Sequence, residues 1–191
     1  MFLGCLVALS LRIIRFNNVD HQALNDIAEF VRAAFSVGVR FSQGGLVPIE
    51  FVDVLRNQYR AEDLLQWVYS KWGGKEVVLA LIEGDGYAGS LNFVFGIASP
   101  LLKVALVFTS RLKLWIKSGM SPEQLFIERL RKEVMHELGH VFGLGHCSNP
   151  HCVMFFSNSI FDTDRKSWKY CSACASKLRF SGVSLSREFI L

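Results

Sequence analysis

The spacing of hydrophobic residues predicts a chain in which strands and helices alternate. Residues 76–82 are apolar at nearly every position, as in a strand buried on both faces of a sheet. In residues 21–35, by contrast, apolar side chains recur at intervals of three and four positions, which indicates a helix. By these criteria the strands are residues 6–16, 37–41, 76–82, 91–98 and 104–109, and the helices are residues 21–35 and 61–72. Residues 48–56 fit neither pattern, and residues 84–89 are expected to form a loop.

A third and longer helix is predicted after these elements. Ser121 is a suitable N-cap, Pro122 fits the first helical position, and Gln124 can close a capping box. The apolar stripe of this helix consists of Leu125, Phe126, Leu130, Val134, Leu138 and Val141. The helix should end at Gly143, because glycine adopts the left-handed conformation without steric cost.

The end of this helix carries the sequence HELGHVFGLGH, residues 136–146. His136 and His140 are four residues apart on one face of the helix, which allows two imidazoles to bind one metal ion. Glu137 lies about 100° further round and can reach a water on that metal. A turn at Gly143 would bring His146 round as a third ligand. Three imidazoles with an open position are the ligand set of a catalytic zinc, which lowers the pKa of bound water to about 7.

Two alternatives to a catalytic zinc site follow from the same residues. The histidines of a buried helix can be hydrogen-bonded core residues without any metal. The chain could also be a zinc-organised module that binds protein or nucleic acid and is catalytically weak or inactive. Glu137 argues against that second alternative, because a purely structural metal site does not need a carboxylate that is not a ligand.

A second cluster of metal-ligating residues follows directly. Cys147, Cys152, Cys171 and Cys174 are spaced C-x4-C and C-x2-C, which predicts a structural zinc bound by four thiolates. Since Cys147 follows His146 in the chain, this zinc should fix the direction from which His146 approaches the catalytic one. Two disulfides are the alternative, and they conflict with a reducing compartment.

Several neighbouring residues receive weaker predictions. His151 could replace one of the cysteines as a ligand, and Cys5 is expected to be a small buried hydrophobe. Four basic residues close in sequence could offset the negative charge of the thiolates: Arg165, Lys166, Lys169 and Lys177.

Size and composition favour one soluble domain. The chain has 191 residues, 51% of them hydrophobic, and 16 phenylalanines, which is enough for a core without disulfides. The net charge is only +4, and charged residues of both signs are scattered along the chain with no dense basic run. Nucleic acid is therefore not expected as a partner. The apolar N-terminal stretch ends at Arg12, short of the roughly 20 residues needed to span a membrane. A buried first strand, a cytoplasmic location and a monomer are therefore expected.

The motifs in the second half of the chain resemble those of a known family. HExxHxxGxxH is typical of metzincin metalloproteases, and the continuation C-x4-C-x-M followed by C-x2-C is similar to the archaemetzincins, also called archaelysins. The matching positions are His136, Glu137, His140, Gly143, His146, Cys147, Cys152, Met154, Cys171 and Cys174. The segment LNFVFG before the helix also resembles a stretch that recurs in the family.

This resemblance implies a fold and a division of the chain. The expected fold is a compact α/β metzincin fold, with a twisted mixed sheet, a long zinc-binding helix and a small zinc-stabilised C-terminal subdomain. The catalytic domain would be residues 1–191, with an N-terminal subdomain at 1–143 and a C-terminal one at 144–191. Met154 becomes the methionine of the Met-turn beneath the catalytic zinc, although composition alone would make it a gap-filling core residue.

The predicted function is that of a zinc metallopeptidase with two zinc ions per chain and a peptide or protein as substrate. Glu137 would act as general base and then as general acid. The stretch 91–98, interrupted by Gly96, is the best candidate for a strand that pairs with an extended substrate. An aminopeptidase would also need a carboxylate for the substrate ammonium, and the candidates are Glu83, Asp85, Asp162 and Asp164.

Overall fold

The computed structural model describes residues 9–115 and 119–191. Its strands and helices are, in chain order, β1 Ser10–Phe16, α1 His21–Phe35, β2 Gly38–Gly45, β3 Val52–Asp53, β4 Gln58–Arg60, α2 Ala61–Trp72, β5 Val77–Ile82, β6 Gly86–Tyr87, β7 Gly96–Ser99, β8 Val104–Phe108, α3 Pro122–Val141, α4 Ile160–Arg165 and α5 Ser172–Phe180. The predictions for Cys5 and for the start of the first strand fall outside the described residues. Within them, no helix is both long and apolar enough to cross a membrane.

The main sheet is twisted and mixed, and helices cover both of its faces. Its order is β2-β1-β5-β8-β7, with β7 as the antiparallel edge strand and the other four strands parallel. Successive residues of the central strand β5 point to opposite faces. Leu79 and Leu81 join the core formed with α1 and α3, while Val78, Ala80 and Ile82 join the core formed with α2. The α/β fold predicted from the sequence is confirmed, with β5 buried on both faces.

The first two helices begin and end where the sequence predicts. Asp20 caps α1 by accepting hydrogen bonds from the backbone N–H groups of Gln22 and Ala23. Ser36 ends it in the left-handed conformation, with φ of 53°. Helix α2 ends at Trp72, directly before Gly73. Apolar periodicity, together with the cap at the start of α1, was therefore sufficient to place these helices.

The strand predictions are less accurate. Residues 91–95 were predicted as strand, but only Gly96–Ser99 forms the β7 ladder with β8. Val94 makes a single bridge to Gly86, the carbonyl of Phe95 accepts from the N–H of Phe108, and residues 91–93 lie outside any strand. The ambiguous stretch 48–56 contains a short 3₁₀ helix, Ile49–Phe51, and the short strand β3. With β4 and β6, β3 forms a small second sheet at the end of the main one. These pairings involve only two or three residues, too few to leave a periodic pattern in the sequence.

The last quarter of the chain, residues 144–191, packs on α1 and α3. Trp168 and Phe189 make edge-to-face contacts with Phe30 of α1, with ring centroids 5.3 and 5.1 Å away. The hydroxyl of the buried Tyr170 donates to the carbonyl of Met135 on α3 at 2.6 Å. These contacts hold residues 144–191 against the helix that carries the histidine motif.

Candidate active site

Helix α3 ends in a turn that reverses the chain. Its N-terminus has the predicted capping box between Ser121 and Gln124. At its C-terminus Gly143 has φ of 90°, and the N–H of Leu144 donates back to the carbonyl of Gly139 at 2.9 Å. Only glycine adopts this φ without strain, so the turn depends on residue 143. It directs the chain back towards the helix just before His146.

The turn brings the three histidines together. Each of His136, His140 and His146 has a ring nitrogen within 4.8 Å of the other two. Nδ1 of His136 lies 2.8 Å from the carbonyl of Val153, and Nδ1 of His140 lies 2.8 Å from the carbonyl of Leu144. A carbonyl only accepts hydrogen bonds, so both Nδ1 atoms carry the proton.

This tautomer fixes what the other ring nitrogens can bind. The Nε2 atoms of His136 and His140 lie 3.1 Å apart, and with Nδ1 protonated both present lone pairs. Two lone pairs cannot hydrogen-bond to each other, but they can share a cation. Carbonyl oxygens on the other ring nitrogen are the usual support for a metal-bound imidazole. The histidines therefore fit a zinc ion.

Electrostatics also favour neutral imidazoles here. Burial lowers the pKa of His136 well below its ordinary value, and it lowers the pKa of His140 and His146 in the same direction. Burial disfavours the charged form of each ring. The three side chains are thus in the deprotonated state that metal binding requires.

Glu137 is a buried carboxyl group beside these histidines. Burial, followed by the negative charge of Glu133, raises its pKa well above the ordinary value for glutamate. A raised pKa makes the carboxylate a stronger base, which suits proton transfer. Its side chain packs against Gly96 of the edge strand β7, so strand and carboxylate are in direct contact.

Histidines and Glu137 line a cleft of about 690 Å³. Residues 93–98, which include the start of β7, supply one part of its wall, and residues 156–158 supply another. Phe156 packs on His146 with the ring centroids 4.8 Å apart. The cleft is large enough for several residues of an extended peptide, and its lining is mostly apolar with polar groups at the histidines.

Three side chains support the wall of the cleft: Gln58 of β4, Arg56 in the turn before it, and Arg111 just after β8. Arg56 donates to the carbonyls of Leu91 and Asn92 at 3.2 and 3.0 Å, and the amide of Gln58 donates to Asn92 at 2.9 Å. Arg111 stacks on the ring of Phe93 at 4.2 Å. These carbonyls already accept hydrogen bonds from side chains and are not free to pair with a strand. Residues 91–92 therefore do not extend β7 as predicted. No local pattern of residues predicts this support.

The position of Lys166 corrects an expectation from the sequence. Lys166 was expected to offset the charge of the cysteine cluster, but it is buried beside the histidines. Its Nζ lies 3.1 Å from Oε1 of Glu133, which also accepts a hydrogen bond from Thr163 at 3.1 Å. Glu133 and Lys166 both line the cleft. The sequence did not predict either position, because a polar residue on a helix, such as Glu133, or just after one, such as Lys166, is expected to face solvent.

Met154 lies beneath the histidine motif. It is fully buried, and its sulfur packs against Gly139, between His136 and His140 on α3. Its carbonyl accepts a hydrogen bond from the N–H of Cys147 at 2.9 Å. This residue therefore connects the helix, the turn at residue 154 and the start of the cysteine cluster.

The four cysteines form a second cluster of potential ligands. The sulfur atoms of Cys147, Cys152, Cys171 and Cys174 all lie within 4.8 Å of one another. Cys147 and Cys171 are 3.8 Å apart, well beyond the disulfide bond length of about 2.05 Å, and all four are free thiols. Burial raises the pKa of Cys152 to about 11 and also raises that of Cys174. Four convergent thiols fit a tetrahedral zinc, which would displace their protons.

The remaining candidates are not part of either cluster. His151 is exposed and its side chain does not belong to the described groups of potential ligands. The four carboxylates considered for binding an ammonium group are engaged elsewhere. Glu83 pairs with Lys113, Asp85 with Arg111 and Asp164 with Arg129, while Asp162 forms the capping box of α4.

Comparison with known proteins is consistent with this site. The family model described as peptidase family M54 matches residues 47–180. An archaemetzincin of Pyrobaculum aerophilum is 47% identical over 67% of this chain and 76% of its own length. An archaemetzincin of Pyrococcus furiosus is 41% identical over 87% of this chain and 90% of its own.

Solved structures extend the similarity to the fold. The crystal structure of an archaemetzincin from Methanopyrus kandleri has a TM-score of 0.77 at 33% identity, covering 91% of this chain and 95% of that one. A zinc-dependent peptidase from Methanocorpusculum labreanum also has a TM-score of 0.77, at 28% identity, covering 88% and 100%. The predicted family is thus confirmed. The chain belongs to peptidase family M54, the archaemetzincins, and is a zinc metallopeptidase.

Proposed function

We propose that His136, His140 and His146 bind the catalytic zinc of this peptidase and that Glu137 is its general base. The observation that supports this assignment best is the geometry of the imidazoles. Both helix histidines direct Nδ1–H at carbonyls, which leaves the Nε2 lone pairs to converge next to a buried carboxyl group. Three protein ligands leave one coordination position for water or substrate.

Peptide hydrolysis then follows from what these residues do. Zinc bound here would act as a Lewis acid that activates a water and polarises the substrate carbonyl. Glu137 accepts the proton of the attacking water and passes it to the nitrogen of the leaving amine. The hydrogen bonds from His136 and His140 to backbone carbonyls keep both rings oriented throughout. No nucleophilic serine or cysteine is required.

The substrate is proposed to bind as an extended strand along β7. This strand pairs with β8 on one side, and Gly96, Ile97 and Ala98 line the cleft on the other. An edge strand offers backbone N–H and C=O groups to an incoming peptide irrespective of its side chains. The peptide bond to be cleaved would then lie next to Gly96, Glu137 and the three histidines.

The four cysteines are proposed to bind a second, structural zinc, giving two ions per chain. This site is closed by four protein ligands, and it stabilises residues 144–191 as the C-terminal subdomain following residues 1–143. The main chain of Cys147 joins His146 directly, so the structural site fixes one catalytic ligand. Thiols that remain reduced agree with the predicted cytoplasmic location, which stays a prediction.

The experiment compares wild type with Glu137→Ala and Glu137→Gln on a peptide library. Both variants remove the carboxylate, and Gln also keeps the shape of the side chain. Cleavage should fall by about 100-fold or more in both, because general base catalysis is lost. Zinc measured by elemental analysis should remain at two ions per chain, since Glu137 is not a ligand.

Three results would contradict the proposal. Loss of one zinc ion from Glu137→Gln would make Glu137 a ligand instead of a base. Equal cleavage by wild type and both variants would show that Glu137 is not the general base. No cleavage by any of them would favour the alternative of a zinc-organised binding module.

A further inference from the structure

A buried ion pair lines the cleft and has no role in the mechanism above. The side chains of Lys166 and Glu133 are 0% and 3% exposed, with Nζ and Oε1 3.1 Å apart. Thr163 adds a hydrogen bond to the same carboxylate oxygen at 3.1 Å. Burying a charge is unfavourable unless it is paired. Each of these two charges is therefore tolerated because the other one lies beside it.

Glu133 occupies the same face of α3 as the groups of the active site. It precedes His136 by three residues and Glu137 by four, which places it one helical turn away and about 60° round from His136. Among the described residues that line the cleft, Glu133 and Glu137 are the two carboxylates. A carboxylate is a good zinc ligand, and a fourth protein ligand would close the position that catalysis needs.

Lys166 is placed to restrain this carboxylate. Besides Glu133, its Nζ lies 3.4 Å from the carbonyl of Phe155 and 3.5 Å from Nδ1 of His136. It thus lies between the helix and the chain segment that forms the wall of the cleft. These contacts fix the position of the Lys166 ammonium group, which in turn holds the carboxylate of Glu133. Thr163 of α4 also holds that carboxylate by its hydrogen bond.

We propose that Lys166 is a positioning residue: by pairing with Glu133 it keeps that carboxylate off the catalytic metal, so that Glu137 alone acts at the open position. This inference rests on the proposed function of the three histidines and Glu137. It makes Glu133 an inhibitory ligand that the ion pair keeps away from the metal, and the proposed role of Lys166 is exerted through Glu133.

The test replaces Lys166 with Met and measures two independent quantities. The first is the affinity of the three-histidine site for Zn²⁺, from competition with a chelator. The second is kcat and KM for peptide cleavage. Zinc should bind about tenfold more tightly because Glu133 is freed to bind it, while kcat falls about tenfold or more with KM little changed. A merely structural role for Lys166 predicts the opposite change, because a disturbed site holds zinc less tightly.

Lys166→Met combined with Glu133→Gln is the decisive second variant. Removing the freed carboxylate should return both zinc affinity and kcat to within a few-fold of wild type. If Lys166→Met folds poorly, Lys166→Gln replaces it in the test. Glutamine keeps a hydrogen-bond donor without the charge, and the same changes in zinc affinity and kcat are expected. Lys132→Met is the matched control, since Lys132 is also buried on α3 but contacts Glu128 and the carbonyl of Asp164. It should leave both quantities unchanged.

The outcomes separate this inference from the proposed function. Weaker or unchanged zinc binding in the Lys166 variants, or a double variant that stays as impaired as the single one, overturns the role of Lys166. If the Lys166 variants bind zinc more tightly but the wild type cleaves no peptide, the role of Lys166 is supported and the peptidase mechanism fails. Metal affinity can be measured in either case, because it does not depend on turnover.

Discussion

Gly96 on the edge strand β7 lies directly against the side chain of Glu137 on α3. A β-carbon at position 96 would be 2.5 Å from Cγ of Glu137 and 2.7 Å from its Oε1, whereas carbon atoms in contact are normally about 3.5–4.0 Å apart. The strand can approach the helix this closely only because residue 96 has no side chain. This contact places the strand that is proposed to bind substrate next to the proposed general base.

Gly96→Ala should therefore displace Glu137 and reduce kcat by about tenfold or more, since small errors in the position of a catalytic group are costly. The fold should be retained, because β7 is a short edge strand. Gly38→Ala is the matched control: Gly38 is also in an edge strand, and a β-carbon there meets no atom within 4 Å. Kinetics and thermal melting of both variants test this. Wild-type activity in Gly96→Ala would show that Glu137 tolerates the added methyl group.

Gly139→Ala should destabilise the protein, although alanine is the better helix former. The helix preference is about 1 kcal/mol in favour of alanine, but overpacking against the buried sulfur of Met154 costs about 1–3 kcal/mol. Denaturant unfolding should show a net loss of stability. The loss should be smaller in a Met154→Ala background, where the methyl group has room. An equal loss in both backgrounds would exclude Met154 as the cause.

His146→Ala should weaken metal binding at the histidine cluster without unfolding the chain. Two imidazoles remain on α3, and the helix keeps its core packing. We expect the proposed catalytic zinc to become removable by a mild chelator and cleavage to be lost, as measured by elemental analysis and peptide assay. His151→Ala is the control, because His151 is exposed and outside the cluster. Full zinc and activity in His146→Ala would require a different third ligand.

The two proposed zinc ions should be lost in a defined order. The histidine site has an open position through which a chelator can act, while four cysteine ligands close the other site. A mild chelator should remove one ion and abolish cleavage with little change in circular dichroism. Removal of the second should need harsher conditions and should cost folding, because zinc binding at a structural site contributes to folding. Simultaneous loss of both ions would contradict the assignment of an open and a closed site.

Cys171→Ser should lower zinc affinity at the histidine site even though Cys171 is not a ligand there. Loosening the cysteine cluster frees Cys147 and, through the peptide bond, His146. The expected observations are a lower melting temperature and faster loss of the first zinc during chelation. Ser172→Ala, a substitution at the neighbouring residue on the surface, is the control. If Cys171→Ser binds two zinc ions and melts like wild type, the four cysteines do not form a structural zinc site.

The sequence by itself determined the features that depend on neighbours along the chain. Asp20, Ser121 and Gln124 act as caps within one helical turn, and apolar periodicity defines the helices between them. Helical geometry alone places His136 and His140 on one face. The spacing of the cysteines predicted a structural zinc site, and the family resemblance added the expected role of Met154; both roles remain predictions. The predicted caps and helices are confirmed because caps and periods are local properties that tertiary structure did not override.

Only the tertiary structure decided which groups meet across the fold. Lys166 is close in sequence to the cysteines but pairs with Glu133 of α3, because α4 packs against that helix. Residues 91–95 have the composition of a strand, yet Arg56 and Gln58 bind the carbonyls of Leu91 and Asn92 and hold them in a loop. Each of these contacts joins residues more than 30 positions apart, so it depends on the path of the chain and not on any local pattern of residues.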